Sequence, residues 1–272
     1  MNDVKKLYEQ MLPDGGFILD HERSIIEENQ YCYALSSERG EGYFWYYFYE
    51  DMFVIEKQDF FFYDEFFLES PEPDFISVQY FFSVSGEEFH PYRQLSPNSL
   101  RVYVGGNGKT FQAVYHKNIP IRSTGIEIMP AYYEDYLKCQ YPDVYASPQK
   151  AFDAVGQTMD FPKMSQLLKQ VHDYRGEGIA ADLFYEGKVA EAIALTIEWN
   201  KRNLEKKKII HRLSEQDIKE LETITLFLND HYAQDITLES LTKIAYMGAT
   251  KLQTIFKQYH DCTITETVSS FV

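Results

Sequence analysis

Ala249, Thr250, Lys251, Gln253, Thr254 and Lys257 lie in the stretch "ATKLQTIFKQYH", interleaved with Leu252, Ile255, Phe256 and Tyr259. The apolar residues recur at i, i+3, i+4 and i+7, the spacing of one helix face. The others are left facing outward. They are small, polar or cationic: amide and hydroxyl groups suit base edges, and ammonium groups suit phosphates. Just upstream, Thr237 is placed to cap a helix beginning at Leu238, whose buried stripe is Leu238, Leu241 and Ala245. "YMG" supplies a tight turn, and Gly248 a cap for the second helix. Two short helices broken at such a turn make the shape of a major-groove reader, and equally that of an ordinary helical hairpin.

The second concentration of chemistry is aromatic. Between Tyr43 and Phe82 there are 18 Phe, Tyr or Trp residues. Core packing must account for most of them. A small-molecule pocket and a protein interface are the functional alternatives, since both enrich aromatic side chains. Alternation does not assign the inward face, because both registers of "YFWYYFY" are aromatic. Trp45, Tyr47, Phe61, Tyr63, Tyr80 and Phe82 are candidate pocket residues, with Arg93 and Arg101 as partners for an acidic ligand.

Other signatures are weak. "VGGNGKT" fails as a phosphate loop, because Tyr103 stands where that motif needs its first Gly, and a hairpin turn is the better account. The histidines (His21, His90, His116, His172, His211, His231 and His260) form no H-x-H pair, and no G-x-S-x-G nucleophile motif occurs. No catalytic residue, metal ligand or cofactor is assigned. Cys32, Cys139 and Cys262 are far apart and in no CxxC pattern, which points away from disulfides and toward the cytoplasm. There is no apolar run of about 18 residues and no apolar segment at the N-terminus, so neither a membrane span nor secretion is expected.

The elements that must position these residues fall into two styles. Short aromatic and β-branched runs, including "FISVQYFFSV", "SLRVYV", "TFQAVYH" and "STGIEIM", predict an antiparallel sandwich or barrel over about residues 15–130. Glu50-Asp51 and Glu56-Lys57-Gln58-Asp59 interrupt the aromatic run and read as breaks between paired strands. From Pro130 the period becomes helical. Met164, Leu167, Leu168 and Val171 share one face, and Leu183, Ala190, Ala194 and Ile197 another. Arg175-Gly176-Glu177-Gly178 separates the two helices into a hairpin, which packs on the sheet or pairs with a second copy. "NLEKKKIIHRLSEQD" is a charged linker ending at the N-cap Ser214, and a helix follows from about Gln216 to Tyr232. The organisation expected is α+β: a β-rich domain at 1–135, a helical connector at 136–205 and a helix-turn-helix domain at 206–272.

The chain carries 44% hydrophobic and 25% charged residues and a net charge of −16, which at first opposes nucleic acid. Residues 1–205 hold 18 Lys or Arg against 33 Asp or Glu, whereas residues 206–272 hold 8 against 9. The acidity belongs to the first part, and screening limits its reach to roughly 8 Å at physiological salt.

"ITLESLTKIAYMGATKLQTIFKQYHDCTITETVSSF" resembles the first helix-turn-helix of the AraC/XylS family of transcription regulators. The match lies at Leu241, Lys251-Leu252, Phe256-Lys257 and the Tyr259 to Thr263 passage into a connecting helix. "TKL" and "AADLFYEGKVAEAIAL" resemble most the branch that includes pyochelin-type siderophore regulators, and "GIEIMPAYYEDYL" the end of that branch's sensor domain. Thr242, Tyr246 and Asp261 depart from the family pattern. The family has a second helix-turn-helix, which the resemblance places beyond Val272 as roughly 40 or more further residues.

The resemblance implies a cupin-like sensor that binds a small effector, siderophore-like or aromatic. It also implies a homodimer formed by the helical hairpin, double-stranded DNA as partner, and no enzymatic activity. The competing readings are a metal-dependent cupin-type enzyme with a helical appendage, and a protein-interaction module that does not bind DNA.

Overall fold

The computed structural model describes residues 3–71, 74–90, 92–106, 108, 110–142, 148–155, 161–210, 213–231, 236–260 and 262–269. The chain divides into two compact units, Met1–Glu198 and Trp199–Val272. No helix among the described residues is long and apolar enough to cross a membrane.

The first unit opens with a helix, α1 (Asp3–Asp14). Among the described residues eleven strands follow: β1 (Phe17–Leu19), β2 (Gln30–Leu35), β3 (Gly40–Tyr49), β4 (Phe53–Phe62), β5 (Phe66–Pro71), β6 (Ile76–Ser83), β7 (Gly86–Phe89), β8 (Arg93–Leu95), β9 (Ser99–Val104), β10 (Thr110–Tyr115) and β11 (Ile121–Ile128). They form a seven-stranded sheet, β1-β2-β3-β4-β11-β6-β9, and a four-stranded sheet, β5-β10-β7-β8. All pairings are antiparallel. The expected antiparallel β domain over residues 15–130 is therefore present. Two local expectations change. Glu56–Asp59 lies inside β4, because aromatic residues on both flanks continue one ladder with β3. The glycine-rich stretch after Val104 is not a hairpin: β9 pairs with β6, whereas β10 pairs with β5 and β7, so the chain crosses between sheets there. Asn107 and Lys109 of that stretch lie outside the described residues.

After β11 a π-helical turn (Ala131–Tyr136) leads to α2 (Leu137–Gln140), α3 (Pro148–Val155), α4 (Pro162–Asp173) and α5 (Gly178–Ile210). Met164, Leu167, Leu168 and Val171 of α4 are buried as their spacing requires, and α4 packs on β6, β9 and β11. The segment expected as a separate connector at 136–205 thus belongs largely with the sheets, and the chain divides at 198/199. The linker expected after Asn203 is helical as far as Ile210.

On α5 the buried residues are Ala181, Tyr185, Val189, Ala192, Ile193 and Thr196. The stripe chosen from sequence faces the other way: Leu183 and Ile197 are 64% and 43% exposed, and Ala190 and Ala194 are exposed too. Both faces of this helix are apolar enough to satisfy the 3.6 period. The aromatic side chains of the sheet decided which one was covered, with Tyr185 packing against Trp45 and Tyr47.

In the second unit, α6 (Glu215–His231), α7 (Leu238–Ile244), α8 (Ala249–His260) and α9 (Ile264–Ser269) enclose a core. It contains Leu221, Ile224, Leu228, Leu241, Ala245, Leu252, Ile255 and Phe256, with Leu238 and Tyr259 partly buried against it. Local signals set the ends. Ser214 Oγ accepts from the Asp217 amide at 3.1 Å, and Thr237 Oγ1 from the Ser240 amide at 3.2 Å. At α9, Thr263 Oγ1 accepts from the Glu266 amide at 3.1 Å while Glu266 Oε2 accepts from the Thr263 amide at 2.7 Å, a reciprocal capping box. Tyr246 turns the chain between α7 and α8 with φ 48° and is 90% exposed.

Candidate functional site

Two places carry chemistry, one in each unit. The first is a cavity of about 150 Å³ between the two sheets, with α1 along one side. Its walls follow from register. Opposite Glu56 on β4 stands Gly125 of β11, opposite Gly125 on β6 stands Gln79, and opposite Gln79 on β9 stands Arg101. Opposed residues share a face, so these four line one inner row. The next row holds Glu127, Ser77 and Tyr103 by the same pairing. From the small sheet Phe66, Leu68 and Ser70 face inward, opposed by Tyr115, Ala113 and Phe111. Gly125 leaves room for the carboxyl: a Cβ there would lie 2.7 Å from Glu56 Oε1, so the Glu56 side chain would have to shift.

Glu56 and Glu127 are only 4% and 7% exposed. Gln79 Nε2 donates to Glu56 Oε1 at 2.8 Å and to Ser123 Oγ at 3.0 Å, and the Tyr8 hydroxyl of α1 donates to Glu56 Oε2 at 3.2 Å. Burial raises the pKa of the Tyr8 phenol and the charges of Glu127 and Glu56 both raise it further, so α1 sets it beside both carboxyls. Burial raises the pKa of each above the ordinary carboxylate range, and the charge of Glu56 raises that of Glu127 further. Arg101 is held by Glu88, Nε to Oε1 2.5 Å, and lies over the Tyr103 and Phe111 rings. The Tyr103 hydroxyl is buried with no hydrogen-bond partner among the described residues.

Of the eight pocket candidates, the structure brings only Arg101 to this cavity. Trp45, Tyr47, Tyr80 and Phe82 occupy the opposite face of the seven-stranded sheet. Trp45 and Tyr47 meet Tyr185, the Tyr47 hydroxyl bonds Asp182, and Tyr80 and Phe82 lie under Lys169 and His172 of α4. Phe61 packs on Tyr63, whose hydroxyl bonds Glu41 at the surface. Arg93 lies on β8, half-buried, and does not line the cavity. The physical reason is that the large sheet is buried on both faces: Tyr46 is 0% and Tyr47 2% exposed, from opposite registers. Sequence reasoning missed Glu56, Glu127, Gln79, Tyr8 and Tyr103. The available signal was the acid inside "VIEKQDFF" and "GIEIM", since a charged residue in a buried strand needs a partner or a task.

The second place is the outer face of α8. Ala249, Thr250, Lys251, Gln253, Thr254 and Lys257 are all exposed, while Leu252, Ile255 and Phe256 anchor the helix. Lys251 Nζ is held by Asp217 Oδ1 of α6 at 2.6 Å, a tie that keeps the Asp217 carboxyl below its usual range. The Thr254 hydroxyl returns to the Thr250 carbonyl at 2.7 Å, leaving its methyl outward. Gln253, Thr254 and Lys257 also border a groove continued by Ile236, Ile264 and Val268. Among the described residues no three of His, Cys, Asp or Glu come together as a metal site.

No protein-family profile matches the chain, and no curated protein does. Among solved structures it is similar to ToxT from Vibrio cholerae, at 11% identity over 80% of this chain and 98% of that one, with a TM-score of 0.33. It is similar also to the Cupin_2 domain of an XRE family transcriptional regulator from Enterobacter cloacae (12% identity, 42% and 98% covered, TM-score 0.23). A third similar structure is KdgF from Halomonas sp. (13% identity, 41% and 92% covered, TM-score 0.21).

Proposed function

We propose that the chain is a cytoplasmic, ligand-responsive transcription regulator, in which a small molecule in the first unit's cavity governs DNA binding by α8. The observation that carries this reading is the outer face of α8. A helix anchored by three buried apolar residues presents small, amide and cationic groups after a capped helix and a tight turn, the arrangement a major-groove reader needs. The cavity supplies the sensing half, since concave, mainly apolar sites with a few polar groups are where small molecules bind. Its volume of about 150 Å³ suits a single ring better than a siderophore. A ligand acts through its differential affinity for two arrangements of the protein. A homodimer fits the same reading: Leu183, Ala190, Ala194 and Ile197 form an exposed stripe on α5, with small residues at its centre that permit close helix approach to a second copy.

The test is binding of the full chain to double-stranded DNA from upstream of its own gene, followed by fluorescence anisotropy at two salt concentrations. Gln253→Ala is expected to weaken specific binding by roughly 5- to 100-fold, and Lys257→Ala to lower the salt slope by about 1. Wild-type affinity in both variants would overturn the assignment of α8. A second reading, a helical dock for a protein, is favoured by the groove beside α8. Salt-insensitive DNA binding, or none, would support it. Light scattering reports the dimer, which Leu183→Glu is expected to dissociate.

A further inference from the structure

We propose that the cavity between the sheets accepts an organic cation: one protonated amine on a body of about one ring, its ammonium seated against Glu56 and Glu127. This rests on reading the cavity as the ligand site and names the class of ligand. Size comes first. A dry cavity of about 150 Å³ is large enough to hold benzene, and the volume here is about 150 Å³. The apolar part of the lining, including Phe44, Phe60, Phe66, Phe75 and Phe111, matches a ring or short alkyl chain.

Charge selects the head group. Two carboxyls lie in adjacent inner rows of the large sheet beside the Tyr8 hydroxyl, which donates to Glu56. The cationic side chain that lines the cavity, Arg101, is already engaged by Glu88, which is itself 7% exposed. The charged groups around the cavity are thus Glu56 from β4, Glu127 from β11, Glu88 from β7 and Arg101 from β9, with the phenols of Tyr8, Tyr103 and Tyr115. An anion would enter against an excess of carboxyls. A neutral ligand would leave the acid pair holding its proton. An ammonium stabilises the ionised pair and displaces that proton, while its three donors meet carboxylate and amide oxygens. The buried, unpartnered Tyr103 hydroxyl offers one more polar contact in the same cavity.

Benzylamine, benzyl alcohol and benzoate, nearly isosteric and differing in charge, separate the outcomes when titrated calorimetrically into the full chain. Benzylamine is expected to bind roughly tenfold or more tightly than either of the others at pH 8. Its affinity should rise from pH 6 to pH 8, with proton release visible as a difference between buffers of unlike ionisation enthalpy. Glu127→Gln is expected to abolish the preference while keeping benzyl alcohol binding, which also shows that the cavity is intact. Glu56→Gln serves as the second variant, and proton release by the unaltered chain needs no variant. Equal or tighter binding of benzoate or benzyl alcohol would overturn the cation assignment and leave the cavity as a ligand site. Binding of none of the three would overturn both. A benzylamine preference that persists in both Gln variants would overturn the role of the acid pair.

Discussion

Both faces of the seven-stranded sheet are aromatic, yet a cavity opens on one and rings pack against the other. On the face toward the small sheet, Glu56 and Glu127 are buried beside a void. On the face toward α4 and α5, Lys57 is half-buried beside rings: its ammonium donates to the Tyr174 carbonyl at 2.9 Å and lies 5.0 Å from the Trp45 ring centre. Desolvation shifts each group toward its neutral form, so the carboxyl pKa values rise and that of Lys57 falls to about 7, the Arg175 charge adding to the fall. Burial alone therefore does not mark a site. What separates the faces is packing: Tyr47, Trp45, Tyr174, Phe184 and Tyr185 fill the second face ring against ring.

The largest expected effect is on that filled face. Tyr185→Ala should cost about 3–5 kcal/mol in urea unfolding, because a fully packed ring leaves a hole. Phe111→Ala, at the half-buried wall of the existing cavity, should cost less, about 1–2 kcal/mol. Equal losses would mean that the faces do not differ in packing.

Next comes pH. Carboxyls whose folded pKa is raised contribute stability that is fully present below their unfolded value of about 4.5 and is lost as pH rises through the folded value. Lys57 has the opposite sign: its folded pKa is depressed, so stability rises with pH between about 7 and its unfolded value near 10.5. Between about pH 7 and 8 the two faces oppose each other, and above that the rise due to Lys57 stands alone. Glu127→Gln should remove much of the fall, up to about 1.4 kcal/mol per pH unit for one proton, and leave the rise due to Lys57. Lys57→Met should leave a steeper fall with pH. Melting temperatures from pH 6 to 9 would show both slopes, and parallel slopes in the two variants would refute the opposition.

The smallest effect is expected at the surface. Tyr63→Phe removes only the exposed bond to Glu41 and should change stability by under about 0.5 kcal/mol, with ligand binding unaltered. A change in ligand binding would return Tyr63 to the candidate site.

Helix ends and strand identity were legible because they are local. Ser214 and Thr237 bond the amides three residues ahead, and the i, i+3, i+4 spacing of Leu252, Ile255 and Phe256 places all three in a core. Faces were legible only where one side was polar, as on α8. On β3, α5 and the middle of β4 the same reasoning had two apolar or two mixed faces to choose from. It placed Trp45 and Tyr47 at a pocket, Leu183 and Ile197 on the helix stripe, and a strand break at Glu56.

The sequence by itself determined the change from strands to helices near Pro130, the antiparallel sheets and the outward set Ala249, Thr250, Lys251, Gln253, Thr254 and Lys257, because capping, alternation and helical period act within a few residues. Only the tertiary structure decided which aromatic face surrounds a cavity and that Glu56 and Glu127, 71 residues apart in the chain, share it. Strand register across β4, β11 and β6 joins distant residues, and it is the covering layer, not the strand, that leaves or fills the space.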